Sequence, residues 1–449
     1  MNLTRKTAAL LCTTITSLFT WAQQPMTMQE CIDYAMQHNI DIQKRTIGIE
    51  QQRNILNTAQ NAWQPTVKTS FSESINPHYS TTGGMENTSH LPDNIPVSLT
   101  SIGVEAAMSV YDGGRKQSKK KMEEFSLESL TAQMDKARKD LRIQVACSYL
   151  KVLYSQKIAD VSQKQVELGR DLLQRATILV DEGKSPQSEQ ATAKAQLATY
   201  EAQHEIDKGN ILLNLVSLAQ IINMADVDAL QVADAELERG MVPDSISIPA
   251  PENTFSNIAD MFPSIRAANA DINASDCETK ISKSFFLPEI SMFASLGTSY
   301  AYTTNSEARS YLKDFKGQLW NNFGPTIGLN MSYTLFDGHQ RRNNLRNAEH
   351  ATTLARLQLD SERLKLRQEL QNAYYNAIAA ISNYKAAVKS EQALKTDYEY
   401  QLKAYEAGRS TIFQLDQVRQ KWIKAQTDAV LAKYEYIIRR KILDFYSET

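Results

Sequence analysis

The sequence predicts a mainly α-helical chain that also contains four β-strands and is built from two copies of one plan. The segment from residue 113 to about residue 181 contains no proline, and its apolar residues recur at helical spacing. A second segment, from about residue 340 to residue 405, has nearly the same length. At 1.5 Å per residue, roughly 69 residues of helix span about 100 Å. Helices this long do not fit inside a compact globule, so they need other helices alongside them.

Three pairs of short motifs, each separated by about 225 residues, indicate an internal duplication. One motif joins a strand to a helix, one lies within a long helix, and one follows the end of a long helix. The pairs are residues 110–114 with 335–339, 148–150 with 373–375, and 182–184 with 407–409. A period of this length indicates a domain-sized pseudo-symmetry rather than a short solenoid repeat.

The first residues predict an exported protein. Arg5 and Lys6 precede an apolar run over residues 7–19, and residues 20–22 have the small-x-small form of a cleavage site. The run is shorter than the roughly 20 residues that span a bilayer, so we expect a cleaved signal peptide at residues 1–22. An ordinary N-terminal helix is the alternative.

The duplication then divides the rest of the chain. We expect a first repeat over residues 23–222, a linker over residues 223–254, and a second repeat over residues 255–449. Each repeat would contain a helix, two strands, a long helix and a returning helix.

Four segments show the period-two alternation of strands whose two faces meet different surroundings. They are residues 66–75, 102–111, 289–302 and 325–336, with Phe293 on the otherwise polar side of the third. An open sheet edge is not tolerated in hydrocarbon, so four strands cannot close a membrane barrel alone. Three copies would supply twelve strands, enough for a wide barrel with a water-filled lumen. A small sheet packed outside any membrane would alternate in the same way, and this pattern leaves both open.

The flanking segments are each about half as long as the long helices. Residues 28–63 and 186–224 flank the first long helix, and residues 255–285 and 412–445 flank the second. We therefore expect each long helix to pair with two short antiparallel helices placed in series. Their apolar stripes are narrow, which favours the laterally packed wall of a hollow coiled coil, an α-barrel, over a solid four-helix bundle.

Composition and motifs predict neither an enzyme nor a nucleic-acid partner. The formal net charge is −2, so no strong basic field is present. The histidines show no metal-ligand spacing, and neither a phosphate-binding loop nor a nucleophile elbow is visible, so we expect no metal and no cofactor. Cys31, Cys147 and Cys277 are widely spaced, and we expect small buried apolar side chains rather than disulfides.

Several motifs, taken in order, resemble the TolC-like outer-membrane efflux protein family over nearly the whole mature chain. Residues 31–35 and the later Asn39 are similar to the family's opening helix. Residues 62–65 and 285–288 resemble its two helix-to-strand junctions, where a proline ends a helix and starts a strand.

The two aromatic-Asp-Gly joints resemble the strand-to-helix returns of the same family. These joints contain Asp112 and Gly113 in the first repeat and Asp337 and Gly338 in the second. The aspartate can cap the following helix, and the glycine allows the chain to turn sharply.

The resemblance implies a homotrimeric tunnel. Its strands would form a twelve-stranded barrel in the outer-membrane lipid of a Gram-negative bacterium, and its helices would form a cylinder in the periplasm. A periplasmic adaptor and an inner-membrane pump would be its partners in efflux or type I secretion. The tunnel would be a passive duct that opens at its periplasmic end.

The resemblance also implies which residues lie at that end. The two helix-to-helix turns, with Gly183 and Lys184 in one and Gly408 and Arg409 in the other, would contact the adaptor. A helix that ends at a glycine is explained first by the backbone, because this position favours a positive φ.

The gate candidates lie close to these turns. Glu189 takes the place of an acidic gate residue of the family, and Tyr405 that of an aromatic residue that bonds to the acid. Arg409 lies one position from the family's gate arginine. Gln414 and Gln417 stand where the best-known member has two acids that ring the pore, and Asp416 lies between them on another helical face. Solvated helix carboxylates are the alternative for Glu189 and Asp416.

A periplasmic coiled-coil scaffold or adaptor that never enters a membrane is the rival reading. It would keep the helices and assign the strands to small sheets outside the membrane. A second rival keeps the barrel but exports proteins instead of small molecules, and the sequence does not separate these cargoes.

Overall fold

The computed structural model describes residues 25–79, 95–228, 230–232, 258–309 and 312–447, together with residues 252 and 255. The expected signal peptide and most of the expected linker lie outside the described residues. The chain divides into two compact units. The first contains Met1–Gly48, Leu130–Ala267 and Asp360–Thr449, and the second contains Ile49–Ser129 and Ala268–Leu359.

Helices make up most of the described chain. They are α1 (Met28–His38), α2 (Ile40–Gln60), α3 (Arg115–Asp181), α4 (Gln187–Ile222), α5 (Pro263–Ser284), α6 (Ser306–Arg309), α7 (Phe315–Asn321), α8 (Gln340–Glu406) and α9 (Ile412–Ser447). The two longest, α3 and α8, have 67 residues each, and the helices that follow them, α4 and α9, have 36 each. No helix within the described ranges is both long enough and apolar enough to cross a bilayer. The predicted class, mainly α with long helices and four strands, is confirmed.

The first flanking helix is broken, where the sequence predicted one segment over residues 28–63. Asn39 is extended at the end of α1, and its Oδ1 accepts hydrogen bonds from the backbone N–H groups of Asp41 (2.9 Å) and Ile42 (3.3 Å) at the start of α2. Its Nδ2 donates to the carbonyl of Ile221 at 3.0 Å. One asparagine therefore ends one helix, caps the next and ties both to α4.

Of the helix expected from residue 255, residues 255 and 258 are helical, and α5 begins at Pro263. A 3₁₀ turn, Ala259–Met261, precedes it. Proline suits the first position of a helix because its missing N–H would have no partner there.

The core of the first unit consists of large side chains from its helices. The fully buried ones include Tyr149, Leu150 and Leu153 of α3, Leu218 of α4, Leu366 and Leu370 of α8, and Tyr436 of α9. Burying each of the leucines stabilises the unit by about 1.5–3 kcal/mol. Cys31 lies in this unit and is buried as predicted, and Cys277 is buried in the second unit. The prediction for Cys147 is wrong in degree: the thiol is half-buried, because the helix turn directs it away from the stripe of Val145 and Tyr149.

The second unit contains one antiparallel sheet of four strands in the order β1-β2-β3-β4. The strands are β1 (Thr66–Tyr79), β2 (Ile95–Tyr111), β3 (Glu289–Tyr302) and β4 (Gly324–Ser332). All four helix junctions lie at one end of the sheet, and both hairpin connections lie at the other. Each neighbouring pair is antiparallel. β1 and β4 stand at the two ends of the order, so among the described strands each has one edge without a partner.

Cross-strand register joins the apolar positions of the four strands into one face. Val67 pairs with Ala106, Ala106 with Ala294, and Ala294 with Ile327, so these four residues share a side of the sheet. The large residues of this face are exposed: Val67, Phe71, Ile75, Ile102, Val104, Met292, Leu296, Ile327, Leu329 and Met331. The opposite face is mainly serine, threonine and glycine.

Phe293, the exception in the sequence pattern, has a local role on the polar face. It lies directly opposite Gly328 of β4, and a Cβ on that glycine would approach its ring to 2.5 Å. The ring therefore covers the backbone of a strand position that lacks a side chain, so the alternation of β3 is kept.

Four strand ends differ from the predicted ones, and one of them, the start of β4 at Gly324, differs by a single residue. β1 extends to Tyr79 and β2 begins at Ile95, because Asn76 pairs with Val97 and Tyr79 with Ile95 despite the weak alternation there. β4 ends at Ser332 rather than at residue 336. Ser332 pairs with Glu289, the first residue of β3, so no β3 residue lies beside the positions that follow.

Candidate functional site

The two helix-to-helix turns of the first unit close with the same backbone motif. At the end of α3, the N–H of Gly183 donates to the carbonyl of Val180 (3.0 Å), and that of Lys184 to Leu179 (2.8 Å). At the end of α8, the N–H groups of Gly408 and Arg409 bond the corresponding carbonyls at 2.9 and 2.8 Å. Both glycines have a positive φ, 68° and 70°. These are Schellman motifs, in which glycine avoids the strain that a Cβ would cause.

Lys184 is exposed at the first turn and forms an ion pair with Glu182 at 2.7 Å. The hydrogen bond and the negative charge of Glu182 raise the pKa of the Lys184 amine. The turns are thus defined by backbone geometry, with charged side chains free to meet another surface. The predicted adaptor contact of these residues stays a prediction.

The structure brings Glu189 and Tyr405 together. Glu189 lies in the first turn of α4, where the helix dipole favours a carboxylate. The Tyr405 hydroxyl, from the last turns of α8, donates to Glu189 Oε1 at 3.0 Å. The Ser185 hydroxyl donates to the other carboxylate oxygen. One carboxylate therefore holds its own turn and links α4 to α8.

The surroundings of Tyr405 strengthen this link. Its ring packs beside a buried cluster of Leu172, Tyr398 and Leu415. Burial, followed by the hydrogen bond to Glu189 and its negative charge, raises the pKa of Tyr405 to about 12. The phenol therefore stays protonated, and remains a donor, throughout the physiological pH range.

Two further contacts join α3 to α8 and to α4 near the turns. Arg175 of α3 forms an ion pair with Glu406 of α8 at 2.5 Å, and both side chains are about half exposed. The Gln190 amide of α4 donates to the Thr177 hydroxyl of α3 at 3.0 Å. Sequence reasoning missed these contacts, because neither pair shows a motif.

Arg409 and Asp416 lie apart from the Glu189–Tyr405 pair. The Arg409 side chain is exposed, and within the described ranges its guanidinium forms no hydrogen bond or ion pair with either residue. Asp416 pairs with Arg419, one turn further along α9. The gating roles of Arg409 and Asp416 stay predictions, and this geometry gives Asp416 a structural partner.

Gln414, which stands where the best-known family member has an acid, caps α9. Its Oε1 accepts from the Thr411 N–H at 3.2 Å, while the Thr411 hydroxyl accepts from the Gln414 N–H at 3.3 Å. This reciprocal arrangement is a capping box, in which glutamine serves as well as glutamate. A neutral amide therefore occupies this position for a local reason.

Arg419 is buried in an aromatic layer that the sequence did not single out. Only 4% of it is exposed, and its guanidinium lies 5.2 Å from the ring centroid of Tyr200. Gly169 of α3 makes room for Tyr200, because a Cβ there would approach the ring to 3.1 Å. Beside this layer, Tyr398 stacks on Trp422 with ring centroids 4.8 Å apart. The signal available in the sequence was an arginine and a tryptophan at i and i+3 on the apolar stripe of α9.

The two predicted strand-to-helix joints lie in the second unit. Asp112 accepts hydrogen bonds from the N–H groups of Gly114 (3.1 Å) and Lys116 (2.9 Å). Gly113 has a φ of 68°, and a Cβ there would meet the Leu287 side chain at 3.0 Å.

The second joint repeats this geometry. Asp337 accepts from the N–H of Arg341 at 2.9 Å, and this hydrogen bond is the main reason why the pKa of Asp337 is lowered. Gly338 and His339 both have a positive φ, 64° and 71°. Both carboxylates therefore cap a long helix, and residues with a positive φ form the turn that precedes it.

Within the described ranges, no group of three or more His, Cys, Asp or Glu residues could hold a metal ion. The arrangement near the turns joins helix ends through one carboxylate, one phenol and one exposed ion pair.

The fold is that of solved outer-membrane channels. The Campylobacter jejuni CmeC outer membrane channel matches 94% of this chain and 85% of its own length, with a TM-score of 0.78 at 17% identity. The outer membrane protein VceC of Vibrio cholerae matches 94% of this chain and 96% of its own length, with a TM-score of 0.74 at 14% identity. The open state of the Neisseria gonorrhoeae MtrE outer membrane channel matches 94% and 88%, with a TM-score of 0.70 at 17% identity.

A comparison of the sequence alone assigns the chain to the same class of outer-membrane proteins. A profile of outer membrane efflux proteins matches residues 31–224 and 256–446. The chain belongs to the outer membrane efflux protein family, which confirms the resemblance drawn from its motifs. No curated protein matches the sequence.

Proposed function

We propose that the chain forms a homotrimeric exit duct of an efflux or type I secretion system, embedded in the outer membrane and extending through the periplasm. It would receive cargo from an inner-membrane pump through a periplasmic adaptor that contacts the two turns. Two equivalent repeats, with the boundaries expected from the sequence, would build each protomer. The duct would perform no chemistry.

The exposed apolar sheet face carries this proposal. It continues across all four strands, and no described residue of the second unit covers its large side chains. The unpaired edges of β1 and β4 need strand partners before the sheet can enter hydrocarbon. Pairing β4 of one protomer with β1 of the next satisfies both edges, and three protomers close a ring of twelve strands.

The proposed gate lies at the turns of the first unit. The Tyr405–Glu189 hydrogen bond and the Arg175–Glu406 ion pair would hold the helix ends in the closed arrangement. Opening would break both interactions without breaking a helix. The adaptor would supply the compensating interactions.

Two neighbouring residues of β4 provide the test. Leu329 lies on the apolar face and is 71% exposed, whereas Asn330 lies on the polar face and is also exposed. We expect Leu329→Arg to reduce recovery from outer membranes and the frequency of channel insertion into planar bilayers. The cost is about 2–4 kcal/mol for an arginine near the bilayer midplane.

Asn330→Arg is the matched control. It should insert normally, and it should change the ion selectivity of the channel because it adds a positive charge to the lumen wall. Equal insertion of the two variants would contradict a lipid-facing apolar side. An absence of channels from the unmodified protein would reject the duct.

A further inference from the structure

Helix α7, in the connection between β3 and β4, is fixed to a part of β3 that β4 does not reach. β4 begins at Gly324, which pairs with Gly297, so the last residues of β3 extend beyond it. The buried side chain of Gln318 fills this place. Its Oε1 accepts from the Ala301 N–H at 2.8 Å, and its Nε2 donates to the Ala301 carbonyl at 3.1 Å. The amide thus replaces the peptide group of a neighbouring strand.

Two more hydrogen bonds fix the orientation of α7. The Thr298 hydroxyl donates to the Leu319 carbonyl at 2.7 Å, and the Asn322 amide donates to the Ser299 carbonyl at 2.8 Å. Polar groups at three positions of β3 are therefore used by one short helix. This is an anchored structure at the hairpin end of the sheet.

The aromatic contacts show on which side of the sheet α7 presents Phe315. Its ring meets the ring of Tyr300 edge to face, with centroids 5.0 Å apart. Tyr300 shares a face with Met292 and Leu296, because side chains alternate along β3. Phe315 is 55% exposed, so its ring extends the apolar face beside Tyr300.

The apolar side of the sheet also carries a cation near Tyr302. The guanidinium of Arg309, at the end of α6, lies 5.4 Å from the ring centroid of Tyr302. Along this face of β3, aliphatic residues end at Leu296, Thr298 follows, and Tyr300 and Tyr302 come next. Aliphatic side chains, then aromatic rings, then a positive charge is the order of a surface that passes from hydrocarbon to headgroups.

We propose that α6 and α7 form an anchor in the outer leaflet, with Phe315 and Tyr300 at the acyl–headgroup boundary and Arg309 paired with a lipid headgroup phosphate. This rests on the proposed function, because it requires the apolar face of the sheet to contact lipid. It adds that the connection between β3 and β4 is bound to the membrane surface through α6 and α7.

Tryptophan reporters in lipid vesicles test the anchor. The parent chain carries Trp63→Phe, Trp320→Phe and Trp422→Phe, and a trimer in mild detergent is required of each variant. Phe315→Trp reports on α7, and Val104→Trp reports on the apolar sheet face. Glu105→Trp, one residue further along β2, is the matched reporter for the polar face.

Phospholipids brominated at shallow or deep acyl positions supply the readout. We expect shallow bromines to quench Phe315→Trp more than deep ones, deep bromines to quench Val104→Trp more than shallow ones, and neither to quench Glu105→Trp. Arg309→Gln in the Phe315→Trp background should lose part of the shallow quenching if the vesicles contain an anionic phospholipid.

The two failures are distinguishable. If Val104→Trp is quenched but Phe315→Trp is not, α7 lies in water or against a neighbouring protomer, and the anchor is rejected while the duct stands. If Val104→Trp is also unquenched, the sheet does not face lipid and the proposed function fails with it.

Discussion

Tyr405→Phe is the smallest change that removes the proposed closing interaction. The substitution deletes one hydroxyl and keeps the ring against Leu172 and Leu415. The hydrogen bond that it removes is 3.0 Å long and ends on the Glu189 carboxylate. Hydrogen bonds to charged groups contribute about 1.5–3 kcal/mol, and the half-buried position of this one favours the lower end.

Removing about 1.5 kcal/mol of closed-state stability from a protomer raises the ratio of its open to its closed state roughly tenfold. We therefore expect a higher mean conductance and longer openings in planar bilayers. Glu189→Gln should act in the same direction but more weakly, because its amide oxygen can still accept a hydrogen bond. The double variant should add little to Tyr405→Phe, since both changes act on one bond.

Tyr400→Phe is the control for this experiment. It makes the same chemical change on the same helix, at a side chain that is 70% exposed. Its conductance should equal that of the unmodified protein. If Tyr405→Phe also leaves conductance unchanged in intact trimers, the hydrogen bond does not hold the duct closed, and Glu189 has no closing role.

Three further predictions concern the helices of the first unit. Arg419→Met should lower the unfolding temperature in detergent, because it removes the buried cation beside Tyr200 and its charged hydrogen bond to Asp416, which contributes about 1.5–3 kcal/mol. Arg439→Met, which breaks a partly exposed ion pair with Glu435, should change the unfolding temperature little. Equal shifts would contradict the structural role of the layer. Gly408→Ala should destabilise the turn by about 1–2 kcal/mol in chemical unfolding, because φ is 70° there, and an unchanged midpoint would reject the strain argument. The contribution of Tyr405 to the stability of the folded state should be full below about pH 10, the ordinary pKa of a tyrosine, and should be lost as pH rises through its raised pKa of about 12. The absorbance titration of the wild type minus that of Tyr405→Phe measures this pKa, and a phenol that titrates near 10 would refute the prediction.

Most helix and strand bounds could be predicted from the sequence, because the spacing of apolar residues depends on local backbone geometry. The 67 residues of α3 begin two residues after Gly113 and end at Asp181, where helical spacing had predicted the end. β3 matches its predicted bounds, because proline at position 288 and steady alternation define them. Breaks that depend on distant partners were not readable. The interruption at Asn39 requires the carbonyl of Ile221, which lies far away in sequence.

The candidate site was readable only in part, for a similar reason. Glu189 and Tyr405 were paired through the family resemblance, and the structure brings them into hydrogen-bond contact. The aromatic layer around Arg419 was not found, since Tyr200 and Tyr398 come from two other helices and only packing brings them together. The pairing of Asp416 with Arg419 was not predicted, because an arginine one turn away is common beside any solvated helix carboxylate.

The native mass of the mature protein, extracted from outer membranes in mild detergent, tests the central claim most directly. The two unpaired strand edges and the exposed apolar sheet face require pooled strands, so we expect a trimer that needs detergent to stay dispersed. A monomer or dimer that stays dispersed without detergent would contradict the duct, and the four strands would then form a sheet with another role.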